Sequence, residues 1–399
     1  MNLKITFTTL ILLTFCSLNA QETTETKFGK GILNVIAKDS SWSMKFATRF
    51  QLLSTTGWDI NDDNYSKPET NFLVRRARLK FGGFVYSPKL KYKIELGLSN
   101  RDISGASEFT GNSPRYILDA VIKWNFYKNF TLWAGQTKLP GNRERVISSA
   151  NLQLVDRSRL NSRFNIDRDL GVQLWHHFKL SDKFLVKEAL AVSQGEGRNV
   201  TSGNLGGHQY TGRIELLPFG KFSGKGDYKG GDLKREQTPK LGIGATYDFN
   251  ANAVKNRSNM GSYMETSTGF YETNISTIFV DAMFKYKGFS IMAEFADREA
   301  EEAIAVEEDG TPTGDIVQVG SAINFQAGYL FKSNWEIAGR YTNLNYDAIV
   351  GRDLEEQYTL GVSKYVVGHS LKVQSDISYT TENGAGSGLM YRLQFDIHF

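Results

Sequence analysis

Arginine is the residue whose distribution in this chain could do chemistry. Arg75, Arg76, Arg78 and Lys80 crowd six consecutive positions, and Arg49 lies upstream. Residues 139–169 hold Arg143, Arg145, Arg157, Arg159, Arg163 and Arg168. A planar guanidinium grips two oxygens of a phosphate or carboxylate at once. A row of them along a low-dielectric wall focuses field and raises the local anion concentration. Several weak sites in series also let an ion enter without trapping it. Acids lie among these cations: Asp119, Glu144, Asp156, Asp167 and Asp169. Any single arginine could therefore be a structural ion-pair partner, whereas the cluster as a whole points to anion attraction.

Other chemistries lack their residues. The five histidines are His176, His177, His208, His369 and His398, and none sits in a nucleophile motif. No catalytic residue is assigned, because a hydrolase needs a serine held beside its base. His176 and His177 are strand neighbours pointing to opposite faces, so they make no metal pair and no metal is expected. The run 299–309, with Glu299, Glu301, Glu302, Glu307, Glu308 and Asp309, reads as a solvated acidic loop. The glycine-rich 224–231 stretch lacks the Lys-Ser/Thr pair and the helix of a nucleotide site, and no cofactor is expected. With 47 basic and 43 acidic residues in 399, the balance of +4 gives no nucleic-acid signature.

The elements that must carry these side chains follow from composition and period. Phe 26, Tyr 18 and Trp 6 make the chain aromatic-rich, while Pro is only 7 and Gly 38. No long apolar runs suggest membrane helices. Instead, alternation with period 2 recurs. In 389–399, Leu389, Tyr391, Leu393, Phe395, Ile397 and Phe399 alternate with a mostly polar set. Similar segments lie at 42–53, 75–86, 90–99, 116–126, 130–138, 170–178, 184–193, 210–217, 241–249, 277–286, 289–295, 323–331, 335–341, 357–366 and 371–379. Their lengths suit tilted membrane strands of about 9–11 residues.

Short turns alternate with long polar connections, as in bacterial barrels. One connection departs from this: 218–240 should be a short turn, and is expected to be an irregular periplasmic excursion. The apolar face of every strand would be an enormous exposed patch in water but is satisfied in lipid, and a closed ring leaves no open sheet edge there. The fold class expected is all-β: a transmembrane antiparallel β-barrel of about 16 strands with an in-folded third loop, over residues 42–399. Residues 1–20 read as a cleaved secretory signal, with Lys4, an apolar run too short to span a bilayer, and Ala20 before the cut. Cleavage removes Cys16, the only cysteine. Residues 21–41 are expected to be a periplasmic extension.

Parity then assigns the inward face. Arg49 and Gln51 point inward on the first strand, Arg76, Arg78 and Lys80 on the second, and Lys91 and Lys93 on the third. Asp119 and Lys123 follow on the fourth, and Arg213 on the eighth. Arg75 falls on the opposite parity, near the mouth. Trp42, Trp124, Trp133, Trp175 and Trp335 lie near strand ends and read as an interface girdle.

At these residues a resemblance enters. Asp119-Ala120-Val121, Gly135-Gln136-Thr137-Lys138-Leu139-Pro140, Arg143-Glu144 and Asp156-Arg157-Ser158 resemble the phosphate-selective porin O and P family. So do 71–83, 210–218, 226–244 and 361–373. The resemblance implies a homotrimeric outer-membrane porin whose third loop narrows the pore, with an arginine ladder and a central site for phosphate or polyphosphate. Arg49, Arg75 and Arg76 match basic wall positions by that site, Asp119 matches an acid facing it, and the third-loop arginines match as a group. The partners implied are small anions, membrane lipid, lipopolysaccharide, and a barrel-assembly machinery reading the C-terminal Phe399. The four acids of the third loop, Glu144, Asp156, Asp167 and Asp169, keep a weakly selective general porin in view. From another class, the alternative is a structural or adhesive barrel with a plugged lumen.

Overall fold

The computed structural model describes residues 27–399 apart from 63, 104–105 and 202–203. The secretory signal expected over 1–20, with its cleavage point and Cys16, lies outside the described residues. Sixteen long strands follow in chain order: β1 (Trp42–Asn61), β2 (Glu69–Val85), β3 (Ser87–Gly97), β4 (Ile117–Tyr127), β5 (Phe130–Lys138), β6 (Arg168–Lys179), β7 (Leu185–Ser193) and β8 (Gln209–Leu217). The second half comprises β9 (Lys240–Ala253), β10 (Thr273–Tyr286), β11 (Phe289–Ala300), β12 (Gly320–Leu330), β13 (Trp335–Tyr346), β14 (Glu355–Tyr365), β15 (Leu371–Glu382) and β16 (Ala385–His398). Each pairs antiparallel with its chain neighbour, and β1 also pairs with β16 from Arg49↔His398 to Asp59↔Gly388. That last ladder closes the ring and removes the sheet edge.

All sixteen expected segments are strands. Several run further outward than the alternation does: β1 continues to Asn61 and β2 begins at Glu69. Thr55↔Asn71 and Thr56↔Thr70 extend the backbone ladder where apolar side chains stop. Backbone hydrogen bonds carry these ends, with Ile60 buried beside them. Helices are short, chiefly α1 (Arg143–Val146) and α2 (Arg159–Phe164).

Exposure alternates as a lipid-facing barrel requires. Phe50 and Leu52 are 47% and 50% exposed, while Arg49 and Gln51, which alternate with them, are 0%. On β10, Ile278 and Val280 are exposed while Thr277, Phe279 and Asp281 are buried. Inversion of the soluble pattern, apolar outside and polar inside, is what a bilayer selects.

Two apolar clusters lie where connections meet the buried side of the wall. Leu139, Leu160, Phe164 and Ile166 pack with Phe279, Ala296, Ala322 and Leu344. Ile147 and Leu152 pack with Leu185, Leu217, Phe222, Met283 and Met292. The close approach of β5 to β4 depends on Gly135. Its φ is +123°, and an added Cβ would lie 2.2 Å from the Ala120 carbonyl oxygen, so only glycine fits.

Before β1, the short strand Leu33–Ile36 pairs with β1 from Leu33↔Phe46 to Ile36↔Ser43. It occupies the flank of β1 beyond the end of β16. There the Phe28 ring meets Phe399 edge-on at 5.7 Å.

Candidate functional site

A bulge between β1 and β2 places the first arginines. The register steps from Gln51↔Arg76 to Leu52↔Val74, leaving Arg75 as the extra residue. A bulge re-aims the side chain it inserts. Arg75 therefore joins Arg76 on the buried side, and both meet Asp156 of the third connection, at 2.8 and 3.3 Å. Strict parity had put Arg75 on the other face; the inserted residue overrides that count.

Arg75, Arg76 and Arg78 line a cavity of about 480 Å³. Ten arginines and two lysines border it, against Asp102, Asp167 and Glu196. Five of the arginines are ion-paired: Arg75 and Arg76 with Asp156, Arg78 with Glu95 and Asp102, Arg145 with Asp167, and Arg168 with Asp119 and Asp167. Among the described residues, Arg101, Arg115, Arg157, Arg198, Arg257, Lys138 and Lys255 are in no ion pair. Most of these donate only to backbone carbonyls: Arg157 to Glu144 and Ile147, Lys138 to Arg145, Val146 and Ile147, and Lys255 to Glu196. The positive field is thus left uncancelled.

The third connection feels this crowding. Burial, then Arg157 and Arg168, push the Arg145 guanidinium well below its ordinary range. Burial lowers Arg157 to about 10. Burial would raise Asp156, but Arg76 and Arg75 outweigh it and hold that carboxyl well below the usual carboxylate range. Crowded cations gain from any anion that enters among them.

Arg78, Lys138, Ser149 and Arg168 also border a narrower cavity of about 180 Å³, with Lys93, Glu95, Asp119, Trp133, Thr137 and Trp175. Asp119 is saturated here: Lys93 donates at 2.7 Å, Thr137 at 2.9 Å and Arg168 at 3.2 Å. Lys93 in turn borders a third cavity of about 530 Å³ toward the short-turn end, with Lys45, Lys80, Lys91, Lys123 and His398. The shared lining residues string the three cavities along the β1–β6 wall.

Other expected residues sit elsewhere. Arg49 is fully buried, its fork on Asp396 at 2.7 and 2.8 Å and its remaining bonds on Ser149, so it borders none of these cavities. Arg143 donates to Asp281 at 2.7 Å and to the Asp227 carbonyl, and Arg213 pairs with Asp281 and Glu215. Arg159 pairs with Glu355, and the Arg163 carbonyl accepts from Arg298. These four lie across the ring from the basic wall. The charges of Arg143, Arg159 and Arg213 are met by Asp281, Glu355 and Glu215, of which only Glu215 lies near its arginine in sequence, whereas Arg163 contributes its backbone carbonyl alone.

Sequence reasoning missed Arg101, Arg115, Arg198, Lys255 and Arg257, which come from three long connections at the same end. A count of cations over all long connections would have flagged them. Trp133 and Trp175 also depart from the girdle expected of them. They stack at 4.8 Å, border the narrow cavity, and Trp175 donates to Gln173 at 3.0 Å. Thr131 and Thr137, on the parity of Trp133, carried that signal.

The excursion after β8 turns back on the wall. Lys187 pairs with Asp227, Tyr228 donates to Glu215, and Lys285 donates to the Lys229 carbonyl at 2.8 Å. Gly230 N–H donates to the Asn151 carbonyl at 2.6 Å, so this segment meets the third connection.

A closed sixteen-stranded ring, apolar outside and lined by charge within, is the architecture of an outer-membrane porin and points to a channel. The chain belongs to the phosphate-selective porin O and P family, whose profile matches residues 50–396. No curated protein matches it by sequence. Among solved structures it is similar to Salmonella typhi OmpF in complex with daunomycin, at 12% identity and a TM-score of 0.57, covering 92% of this chain and 100% of that one. It is similar also to an anion-selective porin from Comamonas acidovorans, at 11% identity and a TM-score of 0.53, covering 90% and 100%. The outer-membrane channel DcaP of Acinetobacter baumannii gives 11%, 0.53, 91% and 99%. These likenesses share the fold.

Proposed function

We propose that this porin passes small anions, phosphate or polyphosphate among them, by passive diffusion along the β1–β6 wall. The observation that carries the reading is the outer cavity, bordered by twelve cations and three acids, with seven of the cations outside any ion pair. Arg75, Arg76, Arg78, Arg145, Arg157 and Arg168 attract the anion, and Lys80 and Lys123 receive it beyond the narrow cavity. Arg49, Arg143, Arg159 and Arg213 act as structural partners, Arg163 holds Arg298 through its backbone carbonyl, and Asp119 holds Lys93 and Arg168 in place. The third loop is read as folded into the lumen, supported by its bonds to inward Arg49, Asp376 and Lys372. Family membership supports a homotrimer embedded in lipid and lipopolysaccharide, exported with a cleaved signal over 1–20 and assembled through Phe399.

Single-channel recording in a planar bilayer under a KCl gradient, followed by phosphate titration, tests this. An anion-selective reversal potential with chloride current blocked by phosphate is the expected result. Selectivity without block leaves a general anion porin, and absence of conductance makes the barrel a plugged one.

A further inference from the structure

The narrow cavity is bordered by more than charge. On its short-turn side, inward residues of three adjacent strands form a layered stack. The Lys123 ammonium on β4 lies 3.2 Å from the centroid of the Trp133 ring on β5, and the Trp175 indole on β6 stacks on Trp133 at 4.8 Å and 26°. The register sets this, since Lys123↔Trp133 and Thr131↔Trp175 are direct cross-strand partners. Lys123 has no ion pair among the described residues; the indole takes that place. Trp175 also borders a second cavity of about 180 Å³ with Thr131, His177, Leu185 and Lys187. Two large apolar rings therefore sit in the polar lining of a charged passage, touching the cavity that holds Arg78, Lys93 and Arg168.

Attraction of a bare, strongly hydrated oxyanion uses none of this indole surface. An anion that carries a ring does. Trp133 is covered by Lys123 on one face and Trp175 on the other, so the charged group can stay with Lys93, Lys123 and Arg168 while the ring lies against the edge of Trp133 and the Trp175 indole, which borders both small cavities. Stacking on an aromatic face tolerates many rings, because it recognises a flat or apolar face rather than a hydrogen-bond pattern. Resting on the anion reading above, we propose that Trp133, Trp175 and Lys123 form a binding site for ring-bearing organic anions, phosphate monoesters above all. Inorganic phosphate is then one ligand of the passage, and its ring esters are held longer at the indole pair.

The test compares ligands that share a headgroup. Chloride current through the full-length channel is titrated with inorganic phosphate, phenyl phosphate and glucose 6-phosphate. Phenyl phosphate is expected to half-block at a concentration at least about fivefold below inorganic phosphate, as aromatic stacking allows. Glucose 6-phosphate distinguishes a sugar-ring source from an aromatic one, and a preference for either ester supports the site. In the W133A/W175A variant, or W133L/W175L if the first does not fold, the ester-to-phosphate ratio falls to near one. W335A, altering an outward and exposed indole, keeps the wild-type ratio. Equal block by all three ligands in the wild type overturns the proposal, as does a preference that survives loss of both indoles. Failure of the anion reading shows separately, as a reversal potential without anion preference.

Discussion

Removing cations that hold no ion pair isolates their field from their structural roles. Arg115, Arg198 and Arg257 border the outer cavity and pair with no carboxylate; Arg198 and Arg257 donate to the carbonyls of Asp102 and Ser162. A sphere with the 480 Å³ of that cavity has a radius of roughly 5 Å, which puts a guanidinium about 6 Å from an ion at its centre. At water's dielectric constant each charge is then worth about 0.7 kcal/mol, screened to about 0.4 in 0.1 M salt. Three glutamines in their place remove about 1.2 kcal/mol of anion attraction and an equal cation repulsion. At 1.4 kcal/mol per tenfold, the anion-to-cation permeability ratio should fall about fiftyfold at 0.1 M. Near 1 M salt, where the Debye length is about 3 Å, the same variant should fall only about threefold. Reversal potentials in KCl gradients centred on the two concentrations read both numbers. A fall under twofold at low salt, or the same fall at both, would refute the argument and make these arginines structural. Removing Arg49, Arg76 and Arg78 instead would strand Asp396 and Asp102 and strip one cation each from Asp156 and Glu95, confounding selectivity with folding.

Asp396→Ala leaves the fully buried Arg49 without its carboxylate, which should cost about 3–5 kcal/mol. The detergent-solubilised barrel should convert from its folded to its unfolded gel band at a lower temperature; an unchanged temperature would mean that Ser149 suffices. Deleting residues 221–236, which contact Lys187, Glu215 and Lys285, should raise single-channel conductance. Equal conductance in a folded variant would place that segment outside the current path. Burial raises the pKa of Glu196, in the connection after β7, above the ordinary glutamate range. As pH falls through that raised value Glu196 takes up a proton, the outer cavity loses a negative charge, and anion preference should increase. Glu196→Gln should show the stronger preference at neutral pH and a flatter pH profile, and a profile identical to wild type would show that other acids dominate.

Strands were legible because lipid outside and polar interior inside impose a strict period of two, as between Phe50, Leu52 and their neighbours Arg49 and Gln51. The rule misplaced Arg75, since a bulge adds one residue without a compositional mark. Trp133 and Trp175 were read from their position near strand ends rather than from the parity of Thr131 and Gln173. Charge was legible as a total but not as a balance. Whether an arginine stays available depends on distant acids: Arg143 and Arg213 both meet Asp281, while Arg115 meets none among the described residues. Such pairings are long-range, and neither spacing nor period encodes them. The excursion 218–240 was legible as irregular, but its return onto Asn151 was not.

Arg49 ties together two events that chain order keeps far apart. Its guanidinium divides its bonds between Asp396, on β16, and Ser149, in the connection after β5. Whatever stabilises one of these contacts orients the same planar group for the other, so completing the ring and seating that connection are thermodynamically linked. A barrel lacking its final strand would hold a misdirected buried cation and a loosely anchored Ser149. A substitution that loosens the β1–β16 seam at Asp396 therefore also loosens the seat of the connection after β5, although the two lie far apart in sequence.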